Sequence, residues 1–528
     1  MIRILSLVLL FFLLLLVEPG SEVQQVSLLP TLMAQVGAPT PYPTPRIDPN
    51  SYLPPPKNGP TITVSLAKAV ITEGAKSGKP QTVITQVANR LTTVQQKANQ
   101  TQDLGILINA ASEELTNLGG GSISIQGGGS IKSQVTVRHN TSFDSSTYAC
   151  DITGITDYGC FLLGDNVLVQ GTWRMPKAIV DYFRSGNGRN SKDPYLLAVQ
   201  SMGPSQLAGT GTTILEPTFT TGGIPAVEVF QALGDSCCSH TERAHDIAVV
   251  GFHIKGRQKV YDGGVRSTIL LGNCQHCTAQ NNYLEDTASI GITFGGSALQ
   301  KNYFADDGLA WHNVTSGVAA ANIAGINSEN LYVIENYGFR MGHHDPRFGG
   351  GVCGFDLETN SPADHSKNIF VLNNLYDYEG SLESAGNGIC LQDPYQGVNH
   401  GLVVAANNIV IGGRDDNVHR FMTNGIFLNG LKGCQIINNY VFRTGQNAIQ
   451  GYAVKGCLIQ DNDFESTGGG GNSTIQMEGA INNTFKRNIF RTRPGLGINV
   501  QSGFADKCGQ NNIYENNVGN EIFKQPCK

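Results

Sequence analysis

Asp356 and Glu358 stand two residues apart in the stretch Gly354–Asn360, which reads GFDLETN. On a β-strand such a pair leaves the backbone on one face, with Cα atoms about 6.5–7 Å apart. Two carboxyl groups so placed can divide acid/base work. Like-charge crowding raises one pKa until that group keeps its proton, and the other stays ionised. At an acetal the first would protonate the departing oxygen and the second would activate water, the arrangement of an inverting glycoside hydrolase.

Other ionisable side chains gather around this stretch. Asp306 and Asp307 precede the segment that ends at His312. His343, His344, Asp345 and Arg347 lie just before Gly354. Asp364 and His365 come after it, then Asp393, then Arg414, Asp415, Asp416, His419 and Arg420. We read Asp356 and Glu358 as the acid/base pair, with Asp306, Asp307, His312, His344 and Arg347 completing the catalytic set. A competing chemistry is β-elimination or C5 epimerisation of a uronic acid. Arg347 with His343 or His344 would then supply the base, and Ca²⁺ held by Asp306, Asp307 and Asp356 would neutralise the uronate. No metal ligand is assigned beyond that option.

These residues need a scaffold, and the second half of the chain supplies one by repetition. The frame Gly-apolar-x-apolar-x appears at Gly291, Gly308, Gly354, Gly388, Gly425 and Gly497, with Ala448 and Thr474 leading two further copies. Alternation on a strand sends the apolar residues inward and the x residues outward. The outward residues form two columns. One runs Thr293, Ala310, Asp356, Cys390, Phe427, Gln450, Gln476, Asn499; the other runs His312, Glu358, Gln392, Asn429, Tyr452, Glu478, Gln501. A long polar line of this kind suits a linear polysaccharide. Gln392, Asn429, Asp393, Tyr452, Gln450 and Arg414 are the expected substrate-binding residues.

A second signature, apolar-x-x-Asn-x-apolar, alternates with the first, at Asn302, Asn374, Asn439, Asn462, Asn488 and Asn516. The later copies recur at a β-helix coil length. Stacked asparagines at one turn fit two roles, tolerance of left-handed backbone and amide hydrogen bonds running up the stack. Cys277, Cys434 and Cys457 fall in phase with inward positions and read as a column of buried thiols.

Composition agrees with a turn-rich β protein. Gly is 64 of 528 residues and charged residues are only 15%. A net charge of −6 gives no support for nucleic acid as partner. The apolar run Ile4–Val17 after Arg3 has the length and flanks of a secretory signal ending near residue 34, the alternative being an uncleaved anchor. Residues 35–60 form a Pro-rich linker, 61–102 a weakly helical segment, and 103–528 the repeat domain. Leu104, Ile108, Ala111, Leu115 and Leu118 mark an amphipathic helix stopped by glycines. Export makes the twelve cysteines candidates for disulfides, Cys150–Cys160 and Cys508–Cys527 among them. The Cys274-x-x-Cys277 pair, with His276 between, also offers the start of a zinc site.

The two interleaved signatures, with a helix followed by GGGSISI, resemble the right-handed parallel β-helix proteins of the pectate-lyase-like superfamily over residues 103–528. The resemblance implies an all-β, single-stranded right-handed parallel β-helix with an N-terminal capping helix. It also implies a groove for polysaccharide on the outer face. Asp306-Asp307-Gly308 is similar to one step of the polygalacturonase-type hydrolases, and His344–Arg347 is loosely similar to the Asp-Pro-His signature of alginate epimerases. The chain has no Asn-Thr-Asp, Gly-His-Gly or Arg-Ile-Lys segment to complete the hydrolase pattern. The expectation is a secreted, monomeric, carbohydrate-active protein, with hydrolysis ahead of lysis or epimerisation and a non-catalytic adhesion role as the alternative from another class.

Overall fold

Strands recur in a fixed order of three and stack into three sheets. In the computed structural model these hold 15, 12 and 13 strands among the described residues, here called sheets 1, 2 and 3. The structure describes residues 42–525 in segments; the longer stretches outside the description are 1–41, 152–158, 182–212, 219–228, 234–242, 257–266, 297–302, 341–351, 379–385, 396–400, 413–421, 466–472 and 492–500. One coil runs through Ala321–Ile326 in sheet 3, Ser328–Ile334 in sheet 1 and Tyr337–Phe339 in sheet 2, then re-enters sheet 3 at Val352–Glu358. Apart from one hairpin at the N-terminal edge, every pairing among the described residues is parallel. This is the single-stranded parallel β-helix, right-handed as parallel crossovers are.

The core is a set of like-on-like columns inside the tube. Ile323, Phe355, Ile389, Ile426, Ile449, Ile475 and Phe504 stack in successive coils of sheet 3, all essentially buried. At the corner between sheets 1 and 2 runs an amide ladder through Asn282, Asn313, Asn336, Asn374, Asn408, Asn439, Asn462, Asn488 and Asn517. In it each backbone N–H and each Nδ2 donates to the Oδ1 of the next asparagine, for example Asn336 to Asn374 at 2.9 and 3.0 Å. The left-handed backbone belongs to the residue before each: Asn281, His312, Glu335, Asn373, Asn407, Asn438, Asp461, Arg487 and Asn516 all have φ between 51° and 60°. The two roles expected of one asparagine are therefore divided between neighbours. Asn516 takes the bend and Asn517 the ladder, and Asn302 lies outside the described residues.

Two helices close the N-terminal end, α1 (Gln81–Thr101) and α2 (Leu104–Asn117). On α2 the expected stripe Leu104, Ile108, Ala111 and Leu115 is fully buried. Its polar residues serve the first coil: Asn109 Oδ1 accepts from Thr136 N at 2.7 Å, and Asp103 Oδ1, the N-cap of α2, from Lys132 N at 2.9 Å. Edge groups that would have no strand partner are thus satisfied by the cap.

The segment 61–102 departs from its expected character. Thr61–Val64 already pairs in parallel with Ser122–Ile125 and in antiparallel with Ala69–Thr72, so sheet 1 begins before residue 103. TITV alternates like a strand, and the helix is confined to α1. The Pro-rich stretch is likewise no free linker where it is described. The Tyr42 N–H and carbonyl exchange 3.0 Å bonds with the Asn407 side chain, the Pro49 carbonyl accepts from Gln280 Nε2 at 2.8 Å, and Tyr52 packs on sheet 1. Proline supplies no N–H and breaks regular pairing, so carbonyls of the arm are open to side-chain amides even where it forms the 3-10 turn Pro49–Tyr52.

Cys434 and Cys457, expected as thiols, form a disulfide between adjacent coils, because in-phase residues of neighbouring coils fall within bridging distance (Cα–Cα 4.5 Å). Cys353–Cys390 is a second bridge (Cα–Cα 6.0 Å). Cys274 and Cys277 are free and buried. Cys160 and Cys508 are disulfide-bonded, with partners outside the described residues. So is the expected signal segment.

Candidate functional site

The glycine of the repeated frame marks a corner. A Cβ on Gly354 would lie 2.4 Å from the Tyr376 ring and 2.5 Å from the Gly388 carbonyl; at Gly388 and Gly425 the clash is with Val410 (2.2 Å) and Val441 (2.3 Å). The chain bends inward there, so glycine and the apolar residue after it both face the core. The residue before the glycine is released to the outside. Cys353, Asn387, Asn424 and Asn447 accordingly form a third outer row beside the two expected ones. Asn424 Nδ2 donates to Asn387 Oδ1 at 2.9 Å and to Gln450 Oε1 at 2.8 Å. This row was missed in the sequence, although Asn387-Gly388 and Asn424-Gly425 carry it openly.

Strand register settles the other two rows. Ala324, Asp356, Cys390, Phe427, Gln450, Gln476 and Ala505 are consecutive partners in one, and Asn429, Tyr452, Glu478 and Lys507 in the other. Gln392 pairs with Asn429, and Glu358 follows Ile326. Three expected members are displaced, and a fourth is not described. Ala310 and His312 do not belong, because the Gly308 frame lies in sheet 1, where Gly308 pairs with Cys277 and Leu331. Asn499 lies outside the described residues, and Gln501 pairs with Ser473 at the other end of its strand, because Phe504 after Gly503, not the Gly497 frame, supplies the inward residue.

Asp356 and Glu358 sit half-buried on the outer face of sheet 3. Burial first, and then the Glu358 charge, push the Asp356 carboxyl up to about 7, against a weaker opposing pull from Gln392, whose Nε2 donates to Asp356 Oδ1 at 3.3 Å. Around Glu358, Asn360 Nδ2 donates to Oε2 at 3.4 Å. At the rim, exposed Tyr395 donates its hydroxyl to the Asn360 carbonyl at 3.0 Å. Further along, Gln450 Nε2 donates to the Tyr452 hydroxyl at 2.5 Å, and Lys507 pairs with Glu478 at 2.7 Å. Asp393 is buried and accepts from Thr359 Oγ1 at 2.9 Å, which makes it a brace between neighbouring coils rather than an exposed contact for ligand.

Of the remaining expected catalytic residues, the three that are described, Asp306, Asp307 and His312, belong to sheet 1 and its corner and are not brought to this pair. Asp307 occupies a left-handed corner of sheet 1 and accepts from the Tyr52 hydroxyl at 2.6 Å. Asp306 accepts from Asn330 Nδ2 at 2.9 Å. His312, buried at the ladder corner, is stacked on Trp311 and bonded to Glu335 at 2.5 Å. A calcium site made from Asp306, Asp307 and Asp356 therefore does not fit, since the third belongs to another sheet. Among the described residues the one cluster of three donors is Cys353, Asp356 and Cys390, and its two sulfurs are bonded to each other. Cys274 and Cys277 are buried free thiols, and among the described residues no group of three ligands gathers around them, His276 Nδ1 being hydrogen-bonded to Asp246 at 2.7 Å. His344, Arg347 and Arg414 lie outside the described residues.

No protein-family model matches this chain, and no curated protein does. Among solved structures it is similar to the catalytic unit of a thermostable alpha-1,3-glucanase from Streptomyces thermodiastaticus (12% identity, 80% of this chain and 67% of that one, TM-score 0.47). It is also similar to tailspike protein 3 of bacteriophage CBA120 (9%, 95% and 67%, TM-score 0.47) and to the A-module of the mannuronan C-5 epimerase AlgE4 from Azotobacter vinelandii (11%, 81% and 96%, TM-score 0.39). These are likenesses of chain path; the chemistry rests on the residues above.

Proposed function

We propose that this chain is an exported polysaccharide hydrolase, with Asp356 as general acid and Glu358 as general base. The observation that carries the reading is the Asp356 carboxyl held near 7 beside a second carboxylate on the same face of one strand. At neutral pH about half of such groups still carry a proton to give to a departing glycosidic oxygen, where an ordinary carboxyl carries almost none. The two outward positions, about 6.5–7 Å apart at Cα, set both carboxyl groups on one face, and the stereochemistry of the product tells a pair spaced for a water (inversion) from a closer pair (retention).

The rest of the outer face suits a linear glycan. Gln392, Asn429, Gln450 and Tyr452 present donors and acceptors at rungs about 4.8 Å apart. Phe427 and the exposed ring of Tyr395 offer apolar faces beside them. Disulfides between coils belong with an oxidising compartment, in keeping with export.

The test is incubation of the protein with polygalacturonate, alginate and neutral glycans, with and without EDTA, reading new reducing ends and the ultraviolet absorbance of unsaturated products. Reducing ends without that absorbance support hydrolysis. Unsaturated products lost with EDTA would replace it by a metal-dependent lyase, and binding without any product by an adhesion protein.

A further inference from the structure

Cys390 is the direct register partner of Asp356 on the next coil, in the outward row. Cys353, released outward by the Gly354 corner, bridges to it. The two sulfurs and an Asp356 carboxylate oxygen all lie within 4.8 Å of one another, and both cysteines are almost wholly buried. The bridge is therefore one wall of the carboxyl's surroundings. Elsewhere in this row the same place is held by Phe427 and by amides, Gln450 and Gln476. At the acid, and at no other described position of the row, it is held by a disulfide.

We propose that the Cys353–Cys390 disulfide is a positioning group for Asp356, forming the dry wall of its carboxyl and fixing it opposite Gln392. The inference rests on the reading of Asp356 as the acid of the site. A disulfide has no hydrogen to donate, so it excludes water from the carboxylate without replacing water's hydrogen bonds. That penalises the ionised form. It also ties the coil carrying Asp356 to the coil carrying Gln392, so that the single 3.3 Å amide contact keeps its geometry. The other groups bearing on Asp356 are Glu358 on its own strand, Gln392 on the next coil and the buried Tyr378 phenol, whose hydroxyl is committed to the Asn387 carbonyl at 2.5 Å. Glu358 and Tyr378 keep their charge and their bond when the sulfurs are replaced, whereas Gln392 loses the tie that fixes it; Asn387 Nδ2 also donates to Cys390 Sγ at 3.5 Å.

The experiment reads Asp356 directly and needs no substrate. The infrared carbonyl band of a protonated carboxyl, assigned by its loss in Asp356→Asn, is followed against pH in three double variants. Cys353→Ser with Cys390→Ser puts hydroxyl donors beside the carboxylate, and the midpoint should fall by about one pH unit or more. Cys353→Val with Cys390→Val keeps the wall apolar and should hold the midpoint high. Cys434→Ser with Cys457→Ser removes the other bridge and should leave it unchanged. If the first double variant does not fold, Cys353→Ala alone opens the wall and should lower the midpoint in the same direction. An unmoved midpoint with serine or alanine, or an equal fall in all the double variants, overturns the inference. If the band shifts with serine while the pH profile of glycan cleavage stays put, the hydrolase reading fails and the role of the bridge stands.

Discussion

Two acidic regions of this molecule look alike as text and behave differently as structure. Asp306-Asp307-Gly308 with His312, and Gly354 with Asp356 and Glu358, each combine a glycine, two carboxylates and a short apolar frame. In the first, every group is consumed locally: Asp306 by Asn330, Asp307 by Tyr52, His312 by Glu335. In the second, one carboxyl has only a 3.3 Å amide and a like charge beside it, and its proton is held to about 7. The difference lies in where the repeat puts them. Corner positions with left-handed backbone turn charged residues into braces between coils. Outward strand positions leave them half-buried on the outer face of the sheet.

The largest effect that would break this comparison is loss of activity in the wrong region. Asp356→Asn or Glu358→Gln should each lower kcat by roughly 10²–10⁴-fold on a confirmed glycan. Asp306→Asn with Asp307→Asn should leave kcat within about threefold of wild type. Retained turnover in Asp356→Asn would remove the pair from the mechanism. A matching collapse in the Asp306/Asp307 variant would move the site to sheet 1.

Next comes the effect of pH on stability. The folded Asp356 carboxyl titrates near 7, above the ordinary carboxylate value of about 3.9. The folded chain therefore binds that proton more tightly than the unfolded chain. Its contribution is complete below about pH 4 and is lost as pH rises through 7, at up to about 1.4 kcal/mol per pH unit. Asp356→Asn has no such proton to lose. Denaturation midpoints should show the variant gaining on wild type between pH 4 and pH 8, with Glu358→Gln reproducing part of the gain by removing the neighbouring charge. Parallel pH curves for all three proteins would count against a strained carboxyl.

A smaller change should follow from the ladder that holds both regions in place. Asn408→Ala leaves the backbone N–H of Asn374 and the Val371 carbonyl without their 2.9 and 2.8 Å partners inside the fold. A cost of about 1–3 kcal/mol in denaturant midpoint is expected, with the Asp356 titration unmoved. A shift in that titration would mean that the ladder, not the groove surface, sets the acid.

Much of this architecture was legible because repetition prints itself. The apolar residues of the Gly-led frames from Gly354 to Gly425 and the ladder asparagines from Asn374 to Asn488 fall where the spacing puts them, as do most of the two outward rows from Asp356 to Glu478. What was not legible is which of several similar frames enters which sheet. Gly308 and Gly354 head near-identical frames, and only the inward partners, Phe294 and Leu331 against Tyr376, separate them. Likewise nothing in the text distinguishes a cysteine that stacks on a thiol from one that bonds to it, since Cys434 and Cys457 become partners only through coil geometry. The row before the glycines escaped notice because a corner breaks the two-residue period on which strand reading depends.

The smallest effect tests the first region on its own terms. Tyr52 joins the N-terminal arm to Asp307 by a 2.6 Å bond and stacks on His276 with centroids 4.7 Å apart. Tyr52→Phe keeps the ring and its stacking and deletes only the hydroxyl. If Asp307 is a brace, the change should cost about 0.5–1.5 kcal/mol of stability and leave kcat as it was. Asp307→Asn keeps an acceptor for the hydroxyl and should cost less than Tyr52→Phe. The reverse order, or a fall in kcat from the phenylalanine variant, would mean that the charge at Asp307 does something that holding the arm does not require.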